Sequence, residues 1–310
     1  MAADLAVKEQ ARTEPRAGGR IRRTGTLTPY LFVLPYFVVF ATFVLAPAVY
    51  GLWISLHDWD YLLPGKPFVG LDNYKALFDS SSAVFSFFWE SMSATGIFTV
   101  LSVPLLLTVP LAIALMLNRR FPGRTLFRAV YFAPYVLGVA VIGVLWRFLL
   151  DPNLGVVNAI LPGAAPWTTA LPWAWVTLVG VTVWWTLGFN AVIYLAGLQD
   201  IPRELYEAAR IDGGGKWAEF RHVTLPGLRP VLLFVTVNTI LVSANMFGQS
   251  YLITQGAPGT ETRTAIMYIA QVGLADYKMG SAAAMSYLLT VGLLLISAIV
   301  FRLFREKDAS

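Results

Sequence analysis

The hydrophobic pattern of this chain consists of long apolar stretches without charged residues, separated by short clusters that carry several charges. A helix needs about 20 apolar residues to cross the roughly 30 Å hydrocarbon core of a bilayer. Measured against that length, the pattern predicts an all-α membrane protein with six transmembrane helices. Their approximate bounds are residues 30–56, 93–117, 129–150, 174–198, 229–254 and 280–303.

The uncharged stretch at 152–199 is long enough for two helices, but prolines recur through its first half. Each proline removes a backbone hydrogen bond, which hydrocarbon cannot replace. We therefore expect residues 152–172 to form an external loop with at most a short helix, followed by one span. A second short external helix is expected at 72–78.

Composition and charge support the same topology. The 310 residues are 57% hydrophobic and 13% charged, whereas a soluble domain carries about 25% charged residues. If both chain ends are cytoplasmic, most of the 23 lysines and arginines fall on the cytoplasmic side, as the positive-inside rule requires. The external loops then contain only Lys66, Lys75, Arg263 and Lys278, and Arg147 lies near the outer end of the third span.

Residue types suited to catalysis or metal binding are scarce. The chain has no cysteine and two histidines, and this topology places His57 and His222 on opposite sides of the membrane. We therefore expect no enzymatic centre, no metal site and no cofactor. The net charge of +5 follows from the basic flanks of the spans, so membrane lipid is expected as a partner and nucleic acid is not.

The chain is predicted to contain a tail and one large domain. Residues 1–28 are polar and arginine-rich, a composition typical of a disordered cytoplasmic tail. Residues 29–306 are expected to form the transmembrane domain. A cytoplasmic loop at 199–228 joins its fourth and fifth spans.

This loop has the pattern of two short helices joined by a turn. Asp200 is placed to cap the first helix, and Pro202 suits its first turn. The glycines at 213–215 interrupt the helical pattern, and a second helical run leads to Pro226. Many cytoplasmic loops contain a short amphipathic helix, so the shape alone assigns no function.

The residue identities in the loop carry more information. An acidic residue and two alanines are followed, at fixed spacing, by a glycine, an aliphatic residue and a Leu-Pro pair. This pattern resembles the EAA motif of ABC importer permeases, and the flanking residues resemble the carbohydrate-uptake type, which includes the maltose and glycerol-3-phosphate importers. The motif positions, together with an aspartate typical of that type, are occupied by Glu207, Ala208, Ala209, Asp212, Gly213, Val223, Leu225 and Pro226.

The resemblance implies a type I importer permease fold, a bacterial inner-membrane location and several partners. A second permease subunit would complete the translocation path as a heterodimer, and two copies of a cytoplasmic ATPase would drive transport. An extracytoplasmic binding protein would deliver a sugar or sugar-like solute. The motif residues would contact the ATPase, which must be a separate chain because this one contains no phosphate-binding loop.

Polar residues in the fourth and fifth spans are candidates for the solute path. Amides in hydrocarbon are costly unless they face protein or water. The polar side chains of the fifth span, from Asn238 to Ser250, are expected to lie on one helix face, within an arc of roughly 160°. Hydrogen bonding between helices is the alternative role. The candidates are Trp185, Asn190, Tyr194, Asn238, Thr239, Ser243, Asn245 and Gln249.

An ion-coupled secondary transporter is the main alternative function. Such proteins usually carry an acidic residue within the membrane. None of the six predicted spans contains aspartate or glutamate, which favours the importer permease.

Overall fold

Helices make up the regular structure of this protein. The computed structural model describes residues 28–119, 121–160 and 165–306. Within those ranges the β contacts are two isolated bridges, between His57 and Phe68 and between Asp60 and Lys278. The all-α prediction is confirmed.

The chain divides into two compact units, residues 1–50 and 51–310. In the first, helix α1 (Thr28–Phe40) is followed by a π-helical turn and by α2 (Ala46–Ser55), whose last residues belong to the second unit. The predicted tail lies outside the described residues, apart from its last residue, which begins α1.

The second unit contains the remaining helices. They are α3 (Asp72–Ala76), α4 (Ala83–Leu117), α5 (Arg124–Val136), α6 (Val139–Leu149), α7 (Val156–Ile160), α8 (Trp173–Asp200), α9 (Arg203–Ile211), α10 (Lys216–Glu219), α11 (Leu225–Gly227), α12 (Arg229–Ala244), α13 (Ala265–Ala270) and α14 (Met279–Glu306). Short π-helical segments follow α10 and α13, and another lies at Ser250–Thr254. Helices α3 and α7 are the two short helices predicted from the sequence; their external position stays a prediction.

Six segments of the described chain are suited to crossing a bilayer. Four of them, the α1–α2 segment, α4, α8 and α14, are long and apolar enough on their own. Two more qualify when α5 with α6, and α10–α11 with α12, are each counted as one bent span. By length and composition the described chain therefore has four spans, or six when each bent pair is taken as one span, and the latter count agrees with the six predicted.

The third span is sharply bent, so the prediction of one continuous helix over 129–150 is wrong. Helices α5 and α6 meet at 96°, because Leu137 and Gly138 adopt extended conformations with ψ of 135° and 153°. The break leaves the Leu137 carbonyl without a helical partner, and the indole N–H of Trp185 donates to it over 3.0 Å. A hydropathy window measures composition only and cannot detect such a bend.

The fifth span is interrupted, and the prediction of one helix over 229–254 is also wrong. Helix α12 ends at Ala244, and a separate helical segment leads into the π-helical turn at Ser250–Thr254. The Asn245 side chain donates to the Leu241 carbonyl oxygen over 2.8 Å at the point where the helix ends, a local bond that competes with helix continuation. Near the break, a Cβ atom on Gly248 would lie 2.5 Å from a methyl group of Val139.

Helix α8 is packed on several sides. Half of its most apolar 18-residue stretch is buried. Within it, Leu178 packs in one cluster with Phe98 of α4 and Ile142 of α6. Helix α8 approaches α5 more closely still. A Cβ atom on Gly188 would lie 2.4 Å from the Tyr131 carbonyl oxygen, so only glycine fits there.

We expect Gly188→Ala to destabilise the protein, because the added methyl group meets the α5 backbone. Overpacking of this kind costs about 1–3 kcal/mol. The midpoint of thermal unfolding of the purified chain in detergent should fall. Gly180→Ala is the matched control, because it lies in the same helix and has no atom within 4 Å of the added Cβ. Equal midpoints for the two variants would contradict the close approach of α5 and α8.

Candidate coupling loop and solute path

The loop between the fourth and fifth spans folds as a helical hairpin, formed by α9, the glycine turn and the helical run from α10 to α11. Its first helix begins later than predicted, at Arg203 after Pro202. Asp200 is the last residue of α8, so the prediction that it caps the next helix is wrong. The reason is that Ile201 is extended, with ψ of 122°, as a residue before proline prefers.

The glycine turn ends α9 as predicted. Gly213 has a φ of +83°, in the left-handed region that glycine adopts without strain. The N–H groups of Asp212 and Gly214 donate to the carbonyl oxygens of Ala208 and Ala209 at 3.0 and 2.8 Å. Two of the last carbonyl groups of the helix are thereby satisfied.

Two side-chain contacts hold the arms of the hairpin together. Arg210 Nε donates to Glu219 Oε1 over 2.7 Å, and the hydroxyl groups of Tyr206 and Thr224 lie 3.1 Å apart. The hydrogen bond from Arg210 to Glu219 raises the pKa of the guanidinium above its ordinary value, because it stabilises the charged form. The hairpin is therefore braced near its turn and near its base.

The motif residues divide into an exposed set and a partly buried set. Glu207 and Ala208 on α9 are exposed, as are Asp212 and Gly213 at the turn and Pro226 on α11. Ala209 and Leu225 are half-buried. The hairpin therefore presents an acidic side chain beside a small alanine.

Sequence reasoning missed the bracing contacts. Arg210 and Glu219 lie nine residues apart across the turn, and Tyr206 and Thr224 lie 18 apart. Neither separation matches the three- or four-residue spacing at which helix neighbours can be recognised. The opposite charges of Arg210 and Glu219 in a predicted hairpin were the available signal.

The candidates on α8 mostly face the interior of the fold. Tyr194 is fully buried in an apolar cluster. Asn190 is also buried, and its Nδ2 atom donates to the Leu106 carbonyl oxygen over 3.2 Å. Trp185, which is half-buried, supports the bend at Leu137 described above.

The candidates on the fifth span fall into three groups. Thr239 and Ser243 are buried, and the Ser243 hydroxyl lies 3.2 Å from that of Ser102 on α4. Of the two asparagines, Asn238 is half-buried and Asn245 is exposed. Gln249 is buried beyond the break. The predicted single polar face is therefore wrong, because α12 ends before it reaches Gln249.

Ser250, which closed the predicted polar face, has a local structural role. Its side chain is buried and its hydroxyl group donates to the Thr262 carbonyl oxygen. The Thr254 and Thr262 hydroxyl groups lie 2.8 Å apart. These bonds fasten the end of the interrupted span to the loop that follows it.

We expect Gly213→Ala to loosen the hairpin, since a left-handed backbone costs a side-chain-bearing residue about 1–2 kcal/mol. That cost corresponds to roughly five- to thirty-fold faster cleavage of the loop by trypsin, with Lys216 as a cleavage site. Gly215→Ala should leave the cleavage rate unchanged, because Gly215 has a φ of −78° and open space around it. Equal rates in both variants would contradict the role of Gly213.

Comparisons with known proteins agree with this architecture. The chain is 36% identical to the trehalose/maltose transport system permease protein MalF of Thermococcus litoralis, over 88% of this chain and 91% of that protein. It is 35% identical to the sn-glycerol-3-phosphate transport system permease protein UgpA of Yersinia pestis, over 90% and 94% of the two chains.

A solved structure shares the fold. It is a chain of the bacterial alginate ABC transporter in complex with an alginate pentasaccharide-bound periplasmic protein. The TM-score is 0.75 at 22% identity, over 90% of this chain and 94% of that chain. Residues 82–306 also match one family along their whole length. This chain belongs to the family described as binding-protein-dependent transport system inner membrane component.

Proposed function

We propose that this chain is the permease subunit that carries a sugar or a sugar-like solute across the bacterial inner membrane, coupled to a separate ATPase through the α9 hairpin. The braced hairpin, with the exposed side chain of Glu207, is the observation that carries the proposal. The relatives named for trehalose/maltose and for sn-glycerol-3-phosphate support a saccharide or polyol derivative as the solute.

Both chain ends are proposed to lie in the cytoplasm. This orientation puts the hairpin on the ATPase side and places most lysines and arginines inside, in accord with the positive-inside rule. A second permease subunit and two ATPase copies would complete the transporter, and a solute-binding protein would act from the outer side.

Force applied to the hairpin would reach the spans through its base. Val223 and Leu228, on the second arm, pack in one apolar cluster with Leu198 of α8 and Ala114 of α4. Packed side chains transmit displacement because interiors are nearly incompressible. Movement of the ATPase would therefore displace the ends of α4 and α8 that pack at the hairpin base as one rigid body, the mode of many domain transitions.

For the solute path, the accessible polar residues are the better candidates. Asn238 lies on α12 and Asn245 directly follows its last residue, about two turns further along and near the same face, and neither is fully buried. Asn190, Tyr194, Thr239, Ser243 and Gln249 are buried within this chain. We propose contact with the solute for the first two and packing roles for the buried set, with Trp185 supporting the bend.

Glu207→Lys tests the coupling role. The variant should still insert into the membrane, because Glu207 is exposed and its replacement disturbs no packing. In vesicles reconstituted with the ATPase, second permease and binding protein, we expect solute uptake to fall at least tenfold, about 1.4 kcal/mol or more. Glu204→Lys on the preceding turn is the control for charge reversal and should retain uptake. Full uptake by Glu207→Lys would refute the assignment.

The solute class is tested separately with the cognate binding protein. Calorimetric titration with disaccharides, oligosaccharides and glycerol phosphates should show binding of at least one. Binding of an amino acid, with none of these compounds bound, would refute the saccharide-type assignment and leave the coupling mechanism intact.

A further inference from the structure

A large open cleft lies beside the coupling hairpin. Its volume is about 1170 Å³, and its walls come from the end of α4, the start of α5, the end of α8 and the hairpin. Half-buried Leu115 contributes apolar surface to it, and Leu198 and Ile201 lie almost fully buried in its wall. Phe220 lines it from the hairpin side.

The charges around the cleft are mostly positive. Its basic residues are Arg119, Arg124, Arg203, Arg210 and Lys216, and its acidic residues are Glu207 and Glu219. The pair between Arg210 and Glu219 neutralises one charge of each sign. Four cations then remain against the single carboxylate of Glu207.

Three of these cations have no carboxylate partner in the described part of the chain. Arg119, Arg124 and Arg203 are all exposed, and no described aspartate or glutamate oxygen lies within 4.0 Å of their guanidinium groups. They come from three different elements, the α4–α5 connection, α5 and α9. The positive field therefore belongs to the cleft as a whole.

The depth of the cleft distinguishes it from an ordinary cytoplasmic surface. Leu115 and Leu198 lie in the last turns of α4 and α8, where two spans leave the hydrocarbon. The cleft thus has apolar surface at the membrane boundary and cations above it. That combination suits an amphiphile with a negatively charged head.

We propose that this cleft binds the phosphodiester headgroup of an anionic phospholipid from the cytoplasmic leaflet. Arg119, Arg124 and Arg203 contact the phosphate oxygens, and the upper acyl carbons lie against Leu115. Basic pockets between spans on the cytoplasmic side are suited to such headgroups. The proposal rests on the orientation proposed above, and it places a lipid beside Glu207 of the hairpin.

The test measures lipid retained by the purified full-length chain in native mass spectrometry, with phosphatidylglycerol or phosphatidylcholine added to the detergent. We expect retention of phosphatidylglycerol over phosphatidylcholine. Each arginine near a membrane surface contributes about fivefold to the affinity for anionic lipid. The double variant Arg119→Gln/Arg203→Gln should therefore weaken phosphatidylglycerol binding by roughly 25-fold.

Two further variants separate the cleft from general surface charge. Arg221→Gln removes a basic residue of the same loop that is exposed outside the cleft, and it should retain binding. Arg119→Lys/Arg203→Lys preserves the charge and should retain most of the binding, which shows that the neutral double variant does not fail through misfolding. Equal loss in Arg221→Gln, or equal retention of the two lipids, would overturn the proposal.

Inorganic phosphate distinguishes the lipid from a soluble anion. Added at millimolar concentration with phosphatidylcholine, it should neither bind in a one-to-one ratio nor displace phosphatidylglycerol. One-to-one binding that Arg119→Gln/Arg203→Gln abolishes would assign the cleft to a soluble anion and overturn the lipid proposal. The assay needs no ATPase or solute, so failure of lipid binding and failure of transport are separate results.

Discussion

Hydrocarbon offers no hydrogen-bond partner to a backbone N–H or C=O group, and the bent spans of this protein depend on that constraint. Where the third span breaks, Trp185 of α8 donates to the Leu137 carbonyl oxygen over 3.0 Å. Where the fifth span breaks, the Thr264 hydroxyl donates to the Met246 carbonyl oxygen over 2.7 Å. Each donor comes from a different part of the chain, so the bends are stable only when those parts are assembled.

The same constraint explains why polarity alone is a weak guide to a solute path. Many hydroxyl groups in the spans bond to the carbonyl oxygen one turn earlier, as Thr182 does to Leu178 and Thr186 does to Thr182. Such groups are satisfied within their own helix and need no solute or water. The side chains left for transport are those on an accessible face, and they include Asn238 on α12 and Asn245 just beyond its end.

The sequence was sufficient for features that depend on composition and local geometry. Hydropathy predicts the six apolar stretches. Helix propensity and backbone conformation predict the hairpin between the fourth and fifth spans and the end of α9 just before Gly213. The bends did not follow, because Trp185 stabilises Leu137 across 48 residues. The bracing of the hairpin by Arg210 and Glu219 depends likewise on the fold of the turn and not on helix spacing.

Helix α4 has 35 residues and is about 52 Å long, well beyond the roughly 30 Å hydrocarbon core. Near one end Phe88 packs with Leu77, and near the other Ala114 packs at the base of the hairpin. Pro104 and Pro110 interrupt the hydrogen-bond ladder, so bending stiffness is lowest in the part nearer the hairpin. The end of α4 that packs on the hairpin can therefore turn about this softer segment while the distant end keeps its packing with Leu77.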